Sequence, residues 1–569
     1  MTSSTVPPPS PGTSPVTEKP ATVERPASVA VWVHVEKPTR LAALAQDLSG
    51  KPSGDASCAK GDLADCLTFV DTTRPVDLAG AAGDSGDEVM AVAFSVESVA
   101  AFREHATKGF DTTEPKPGML RLARKADADT TSPHRNEPVT CDLGAAEVSH
   151  RVVCGNEAGL SSIGPWLRTG PKPPSTDDVA RVEVYPAPVI AAVEKQLGSD
   201  ASKHDELRQF AHDFAGATLR LGAGDAPGGP LTLDLDVRMQ SLQSPWAKLL
   251  LAPAPAPGPV PDTFGRLSHD ATASVYVPGG GPLVGLLDKA LSFQAISSLD
   301  SAKVHAATEE LRGVLGRGVV CAHLIDFDEA RAALGRARKA PEKEAKKTAA
   351  ALDRAFDSHI VCGVQEPIQA ADRLAHKLLD AAPKTPGETS TLRPAAGLGL
   401  PKGSLVLESI ERKPAAKTAG AAHDKPAGPK TSDTLVVPDG ETTWIVTGED
   451  LHLAAAIAKR VLDQPKGAGL DAPPGTIFTG YVTSLFGAFE WDLATHSIDG
   501  LEASLASTSP GRLGFVLAQR PEGSGGTLSL RLTSDVPTLK VLATRAVPLA
   551  FMAVGAIALM QLAPDSGGK

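Results

Sequence analysis

Ser149-His150-Arg151-Val152-Val153-Cys154-Gly155-Asn156-Glu157, followed by the run from Ala158 to Thr169, reads as a buried strand, a glycine, a polar pair and a helix. The same order returns at Ser358-His359-Ile360-Val361-Cys362-Gly363, leading into Val364 to Leu379. It returns again at Trp444-Ile445-Val446-Thr447-Gly448-Glu449-Asp450, leading into Leu451 to Leu462. The glycine is expected to supply a positive-φ turn between strand and helix, and the polar residues after it to cap the helix and suit its positive end. A phosphate would use that same helix end, but the acidic residues beside it repel one.

Outward from this stretch the chain reads as two related passes. Val29 to Val35 alternates as a strand, with Val31, Val33 and Val35 on one face and Trp32 and His34 on the other, and Pro38 opens a helix through Leu48. Val89 to Val96 and Glu97 to His105 give a second strand and helix, and Thr140 to Leu143 a strand before the opening stretch. Residues 107–137 are polar and poorly patterned and read as an insertion. Ala180 to Tyr185, Ala187 to Leu197 and an amphipathic helix from Ser202 to Phe214 follow. A hairpin then forms from Thr218-Leu219-Arg220-Leu221, a turn around Gly228-Gly229, and Leu231 to Val237, whose strict alternation indicates a half-exposed antiparallel sheet.

The programme restarts after a Pro/Ala linker. Ala273 to Leu291 answers Val29 to Leu48, Val319 to Leu334 answers Val89 to Phe102, and Trp444 to Leu462 answers the opening stretch. The hairpin returns as Arg512 to Leu517, Gly525-Gly526 and Leu528-Ser529-Leu530-Arg531-Leu532. Offsets near 240 residues that grow to about 295 imply roughly 55 residues added to the second pass. The added part holds a Lys/Ala-rich solvated helix from Arg336 to Asp357, the extra copy at Ile360, and Pro/Lys/Ala segments near Ala381 to Lys402 and Lys413 to Ser432. The expected architecture is therefore α+β, with two tandem related domains, each a mainly antiparallel sheet with helices packed on one face. Residues 1–28 form a Pro/Ser/Thr-rich disordered tether, 29–252 the first domain, 253–268 the linker, 269–545 the second domain with an insertion at about 336–441, and 546–569 an apolar tail.

Composition narrows function. The balance of 56 basic against 67 acidic residues gives −11, which disfavours nucleic acid, and aromatics at 4% offer few stacking platforms for bases or sugars. Residues 1–28 lack an apolar core of the kind a secretion signal carries; such a Pro-rich tether commonly separates a removed signal from an envelope domain. Six cysteines fall into three local pairs, Cys58 with Cys66, Cys141 with Cys154, and Cys321 with Cys362, which suits disulfides in an oxidising compartment; buried free thiols in a cytoplasmic protein are the alternative.

Motifs for chemistry are sparse. Cys321, His323, His359 and Cys362 have zinc-ligand types, but His359 and Cys362 stand three apart and face opposite ways in a regular strand; Cys141, His150 and Cys154 supply three ligands at most. Val275 to Gly285 resembles a nucleotide-binding glycine loop with its third glycine one place late. Ser57-Cys58-Ala59-Lys60 fits S-x-x-K without the partner motifs that chemistry requires. His34 beside Trp32 reads as a packed or surface histidine. No catalytic, cofactor-binding or metal residue is assigned, and no cofactor is expected. Residues 546–564 carry no charge, and Phe551, Met552, Val554, Ile557, Leu559 and Met560 mark a candidate membrane or association helix at the lower length limit for a span.

These features favour a non-enzymatic envelope or secreted binding or scaffolding protein, periplasmic or extracellular. An enzyme with a site between the two halves, or a carrier of a lipid or other apolar ligand, are the alternatives. The expected partner is a protein or an apolar ligand of unknown identity, with no nucleic acid; the C-terminal helix is a candidate for self-association or, as the alternative, for membrane anchoring.

Overall fold

The computed structural model describes residues 23–49, 70–82, 88–124, 138–144, 150–173, 177–197, 205–224, 229–251, 260–268, 271–279, 316–339, 359–381, 388–411, 430–448, 450–467, 472–484 and 511–545, with a few isolated positions between them. In chain order the strands are β1 Val29–Val35, β2 Val76–Ala82, β3 Glu88–Ser95, β4 Phe110–Lys116, β5 Met119–Arg124, β6 Val139–Asp142, β7 Arg151–Gly155, β8 Ala180–Val184, β9 Phe214–Ala223 and β10 Leu231–Met239. They continue as β11 Ala271–Val277, β12 Val319–Leu324, β13 His359–Val364, β14 Glu388–Pro394, β15 Leu405–Glu411, β16 Lys430–Asp439, β17 Thr442–Gly448, β18 Thr476–Thr483, β19 Arg512–Glu522 and β20 Gly525–Ser534. The pairings described are all antiparallel, so the expected class, mainly antiparallel sheet with helices, is the one observed.

Among the described residues there are two compact units: the first holds residues 23–29, 70–71, 76–82, 88–124, 138–144 and 150–173, and the second holds residues 30–49, 72–75 and the described residues from 177 onward. In the first, the strands run in the order β2-β3-β7-β6-β5-β4. Helix Val99–Gly109 sends Phe102 and Ala106 onto the face of Val152 and Cys154, with Phe94, Val96, Leu120, Cys141 and Leu143. Helices Glu157–Ser162 and Gly164–Arg168 lie on the opposite face, where Arg151 Nε donates to the Leu167 carbonyl at 2.9 Å and ion-pairs with buried Asp77. Helices therefore cover both faces of this sheet rather than one. The Asp77–Arg151 pair is held by that covering, because a buried charge is tolerated only when it is matched.

In the second unit the order is β1-β8-β9-β10-β20-β19-β18-β11-β12-β13-β17-β16-β15-β14. Its largest core surrounds Trp444, with Tyr276, Val320, Leu324, Val361, Leu435, Val446 and the inward side of helix Leu451–Asp463. Phe264 meets Tyr276 and Trp444 edge-on at 5.7 and 6.4 Å. In β1 the expected alternation holds: Trp32 and His34 are buried, while Val31, Val33 and Val35 are half-buried.

Several local expectations need correction. Residues 107–137, read as unpatterned, contain the hairpin β4–β5, which turns at Gly118 (φ 79°); its exposed strand is rich in Thr, Glu and Lys and so shows no apolar alternation. The segments read as flexible near residues 381–402 and 413–432 include β14 and the start of β16, again polar strands paired with β15. Of the solvated helix expected over residues 336–357, the first residues end helix Phe327–Lys339, and most of the remainder lies outside the described residues.

The glycines of the three recurring stretches are also not turn residues. Gly155, Gly363 and Gly448 are absent from the positive-φ positions, which in the opening stretch include only His150 (φ 56°). They end or interrupt strands where something must come close. A Cβ on Gly155 would run into the Met90 carbonyl oxygen of β3. On Gly363 it would stand 2.6 Å from the Trp444 ring, and on Gly448 it would run into the His359 ring. The absent side chain makes room, as glycines in strands often do. Capping itself follows expectation: Asn156 accepts from Gly159 N, and Asp450 from His452 N and Leu453 N.

Gly155→Ala is expected to destabilise the protein by about 1–3 kcal/mol in urea denaturation, because the obstacle is backbone rather than a movable side chain. Gly335→Ala is the control: it sits in helix Phe327–Lys339 with nothing within 4 Å of the new Cβ, so it should raise stability by about 0.5–1 kcal/mol.

Candidate functional site

The alternation in β9, β10 and β20 sorts their side chains onto two faces. Leu221 and Leu231 join Leu41 and Leu44 of helix Pro38–Ser49 and Val536 and Leu539 of helix Val536–Arg545 on the apolar face. The opposite face carries a ladder of charges across β8, β9, β10 and β20, where Arg181 stands opposite Arg220, Arg220 opposite Asp234, and Asp234 opposite Arg531. The next row places Glu183 opposite Thr218, Thr218 opposite Asp236, and Asp236 opposite Ser529.

Two arginines directly opposite each other would repel. Each is instead held by carboxylates. Arg181 Nε donates to Glu183 at 2.7 Å and lies 3.8 Å from Asp178, and Arg220 donates to Asp236 at 2.9 Å and lies 3.8 Å from Asp234. Arg531 donates to both oxygens of Asp234, at 2.6 and 3.2 Å, Ser529 Oγ donates to Asp236 at 2.6 Å, and the Tyr185 hydroxyl donates to Glu183. The Asp234 carboxylate holds the Arg531 guanidinium above its usual basicity, and burial pushes the Asp178 carboxyl up. Fixed, mutually paired charges on a stiff sheet suit recognition of a polar surface through many hydrogen bonds. They suit proton transfer poorly, since Glu183, Asp234 and Asp236 already accept from cations or hydroxyls.

A second polar cluster lies at β12 and β13. Cys321 and Cys362 are direct partners in the ladder and form a disulfide; Cys141 and Cys154 do the same across β6 and β7. The paired thiols are no longer available as thiolate ligands. His323 shares the face of Cys321, whereas His359, opposite Leu324, points into the core, as strand parity requires. His359 is fully buried; its Nδ1 donates to the Thr447 carbonyl at 3.2 Å and its Nε2 has no partner. His323 pairs through Nδ1 with the Thr272 hydroxyl at 2.6 Å. Burial, and then the neighbouring His359, lower its pKa from 6.5 to about 4. Asp213, which accepts from the Gln243 and Ser244 amides and the Ser241 hydroxyl, is held down at about 2 and anchors the turn before helix Pro245–Leu250.

Among the described residues no group of three or more His, Cys, Asp or Glu is placed to hold a metal. No helix there is long and apolar enough to cross a membrane. Cys58, Cys66, the Ser57 motif and Phe551, Met552, Val554, Ile557, Leu559 and Met560 lie outside the described residues, as do residues 280–285 of the glycine loop. His34 is packed, 5.5 Å from the Trp32 ring centre, with Nε2 2.8 Å from Glu36. The charge ladder is absent from the sequence-derived candidates, although Arg220, Asp234, Asp236 and Arg531 at alternate positions of leucine-rich strands are its visible signal.

A histidine with a lowered folded-state pKa is favoured neutral in the fold, so protonation favours unfolding. Its stabilising effect is complete above pH ~6.5 and is lost as the pH falls toward ~4. The unfolding free energy from urea denaturation between pH 7.5 and 4 should decline through this window by on the order of 1–3 kcal/mol, and His323→Gln should flatten that part of the profile.

Comparison with protein-family models, with curated proteins and with solved structures gives no match for this chain.

Proposed function

We propose that the chain is a non-catalytic binding or scaffolding protein of an oxidising compartment, envelope or secreted, built by tandem duplication of an α+β unit. The observation that carries the binding role is the part of the charge ladder on β9, β10 and β20, where Arg220, Asp236 and Arg531 stay accessible and are held rigid by their neighbours, while Arg181 and Glu183 at the β8 end are largely buried and brace it. The two cross-strand disulfides support the compartment, since such bonds persist where thiols are not kept reduced.

Strand order supports the duplication. The order β1-β8-β9-β10 is followed by β20-β19-β18-β11, the same four strands counted ten later and reversed. The first unit's β2-β3-β7-β6-β5-β4 likewise has its counterpart in β12-β13-β17-β16-β15-β14. On this reading β12 answers β2 and β13 answers β3, so the sequence match of Val319 with Val89 is shifted by one strand. Most of residues 336–441 then answers β3 to β6, and the added element is helix Phe327–Lys339 between β12 and β13. The two disulfides are not equivalent under it: Thr434 opposite Thr447 stands where Cys141 faces Cys154.

Alkylation of the protein from its native cells, under denaturing conditions before and after reduction, should leave Cys141, Cys154, Cys321 and Cys362 unlabelled until reduction; four free thiols would overturn the compartment. In-cell crosslinking through the sheet face should give a partner that is lost in an Arg220→Ala/Asp236→Ala variant of unchanged secondary structure. Identical products from wild type and variant would overturn the role of this face.

A further inference from the structure

We infer that β10 and β20 join as the two edges of an intramolecular pseudo-dimer, with Asp234 and Arg531 on its local two-fold axis acting as the charge pair that fits each edge to the other rather than to its own kind. The inference rests on the duplication proposed above and adds the recognition element within it.

Leu231-Thr232-Leu233-Asp234-Leu235 is answered by Leu528-Ser529-Leu530-Arg531-Leu532, which makes Arg531 the counterpart of Asp234. In the observed register these two residues face each other. Leu233 faces Leu532, the counterpart of Leu235, while Leu235 faces Leu530, the counterpart of Leu233. Thr232 faces Thr533, and Asp236 faces Ser529, the counterpart of Thr232. Each residue thus meets the counterpart of its own mirror position across the axis, which is the pattern of an isologous two-fold contact, where the residue on the axis meets its own equivalent. In a self-paired edge that residue would be Asp against Asp or Arg against Arg, and like charges directly opposite oppose pairing. Divergence to one acid and one base turns the same position into an attraction and penalises both self-pairings. The flanking rows Leu233–Leu532 and Leu235–Leu530 remain leucine on both sides, so the axis residues carry the discrimination. Arg220, which reaches toward Asp234 from β9 at 3.8 Å, has Val516 beside Arg531 as its opposite number on β19. The second edge therefore brings no further charge to the axis.

The test uses the full chain and native-state amide exchange at Leu233, Leu235, Leu530 and Leu532, with β16–β17 amides as internal reference. Arg531→Asp in the wild-type background places Asp against Asp and should speed exchange at the junction by roughly fivefold, with the reference unchanged. In the Asp234→Arg background the same substitution removes an Arg–Arg contact and should slow exchange instead. That reversal of sign is expected even though Asp234→Arg also faces Arg220. An equal effect in both backgrounds overturns the charge selection. The duplication is read separately by superposing β1-β8-β9-β10 on β11-β18-β19-β20 in an experimental structure: strands that do not superpose remove the duplication, while superposition with no sign reversal removes only the role of the axis pair.

Discussion

Desolvated antiparallel ladders constrain everything else in this protein. Every described strand pairs with at least one neighbour, the inner strands with two, and a ladder closes only where side chains on the two strands leave room for the backbones to approach. Gly155 accepts the close pass of Met90, Gly363 lies under the Trp444 ring, and Gly448 accommodates the buried His359 ring. Those three contacts set where β7, β13 and β17 pair. The pairing in turn decides which of their side chains enter the cores around Val152 and around Trp444.

Once pairing is fixed, the two-residue period distributes chemistry. On β9 and β10 it sends Leu221 and Leu231 toward helices Pro38–Ser49 and Val536–Arg545 and charges toward the other side, and the β20 leucines share the leucine face by register. Charges brought together in this way must be matched: Arg181 and Arg220 each lie between two carboxylates, and Arg531 is held by both oxygens of Asp234. On β12 and β13 the same period separates two histidines that the linear sequence groups together. One becomes a core residue tied by Nδ1 to the Thr447 carbonyl with Nε2 unpaired, and the other a partner of Thr272. The disulfides sit at direct cross-strand positions in both units, where they lock the register of two neighbouring strands.

Much of this was legible in the residues. The alternation of Thr218 to Leu221, of Leu231 to Val237 and of Leu528 to Leu532 defined both hairpins, and the proximity of Cys141 to Cys154 and of Cys321 to Cys362 defined the two described bonds. Hidden were strands β4 and β14, whose exposed polar residues carry no burial signal, whereas β5 did carry a readable alternation in Leu120 and Leu122. The function of the glycines was hidden as well, since a glycine that allows a positive φ and one that admits a neighbouring ring are the same letter in a sequence.

The sequence by itself determined the local period of each strand, the facing of its side chains, the helix caps at Asn156 and Asp450 and the inventory of pairable cysteines, because these depend on steric and hydrogen-bonding preferences within a few residues. Only the tertiary structure decided that β1 lies beside β8, that β10 lies beside β20 and that Asp234 meets Arg531. Those neighbours are separated by 150 to nearly 300 positions of chain. What brings them together is the summed burial of leucine faces and the closure of whole ladders, terms to which no short stretch of sequence contributes a distinctive mark.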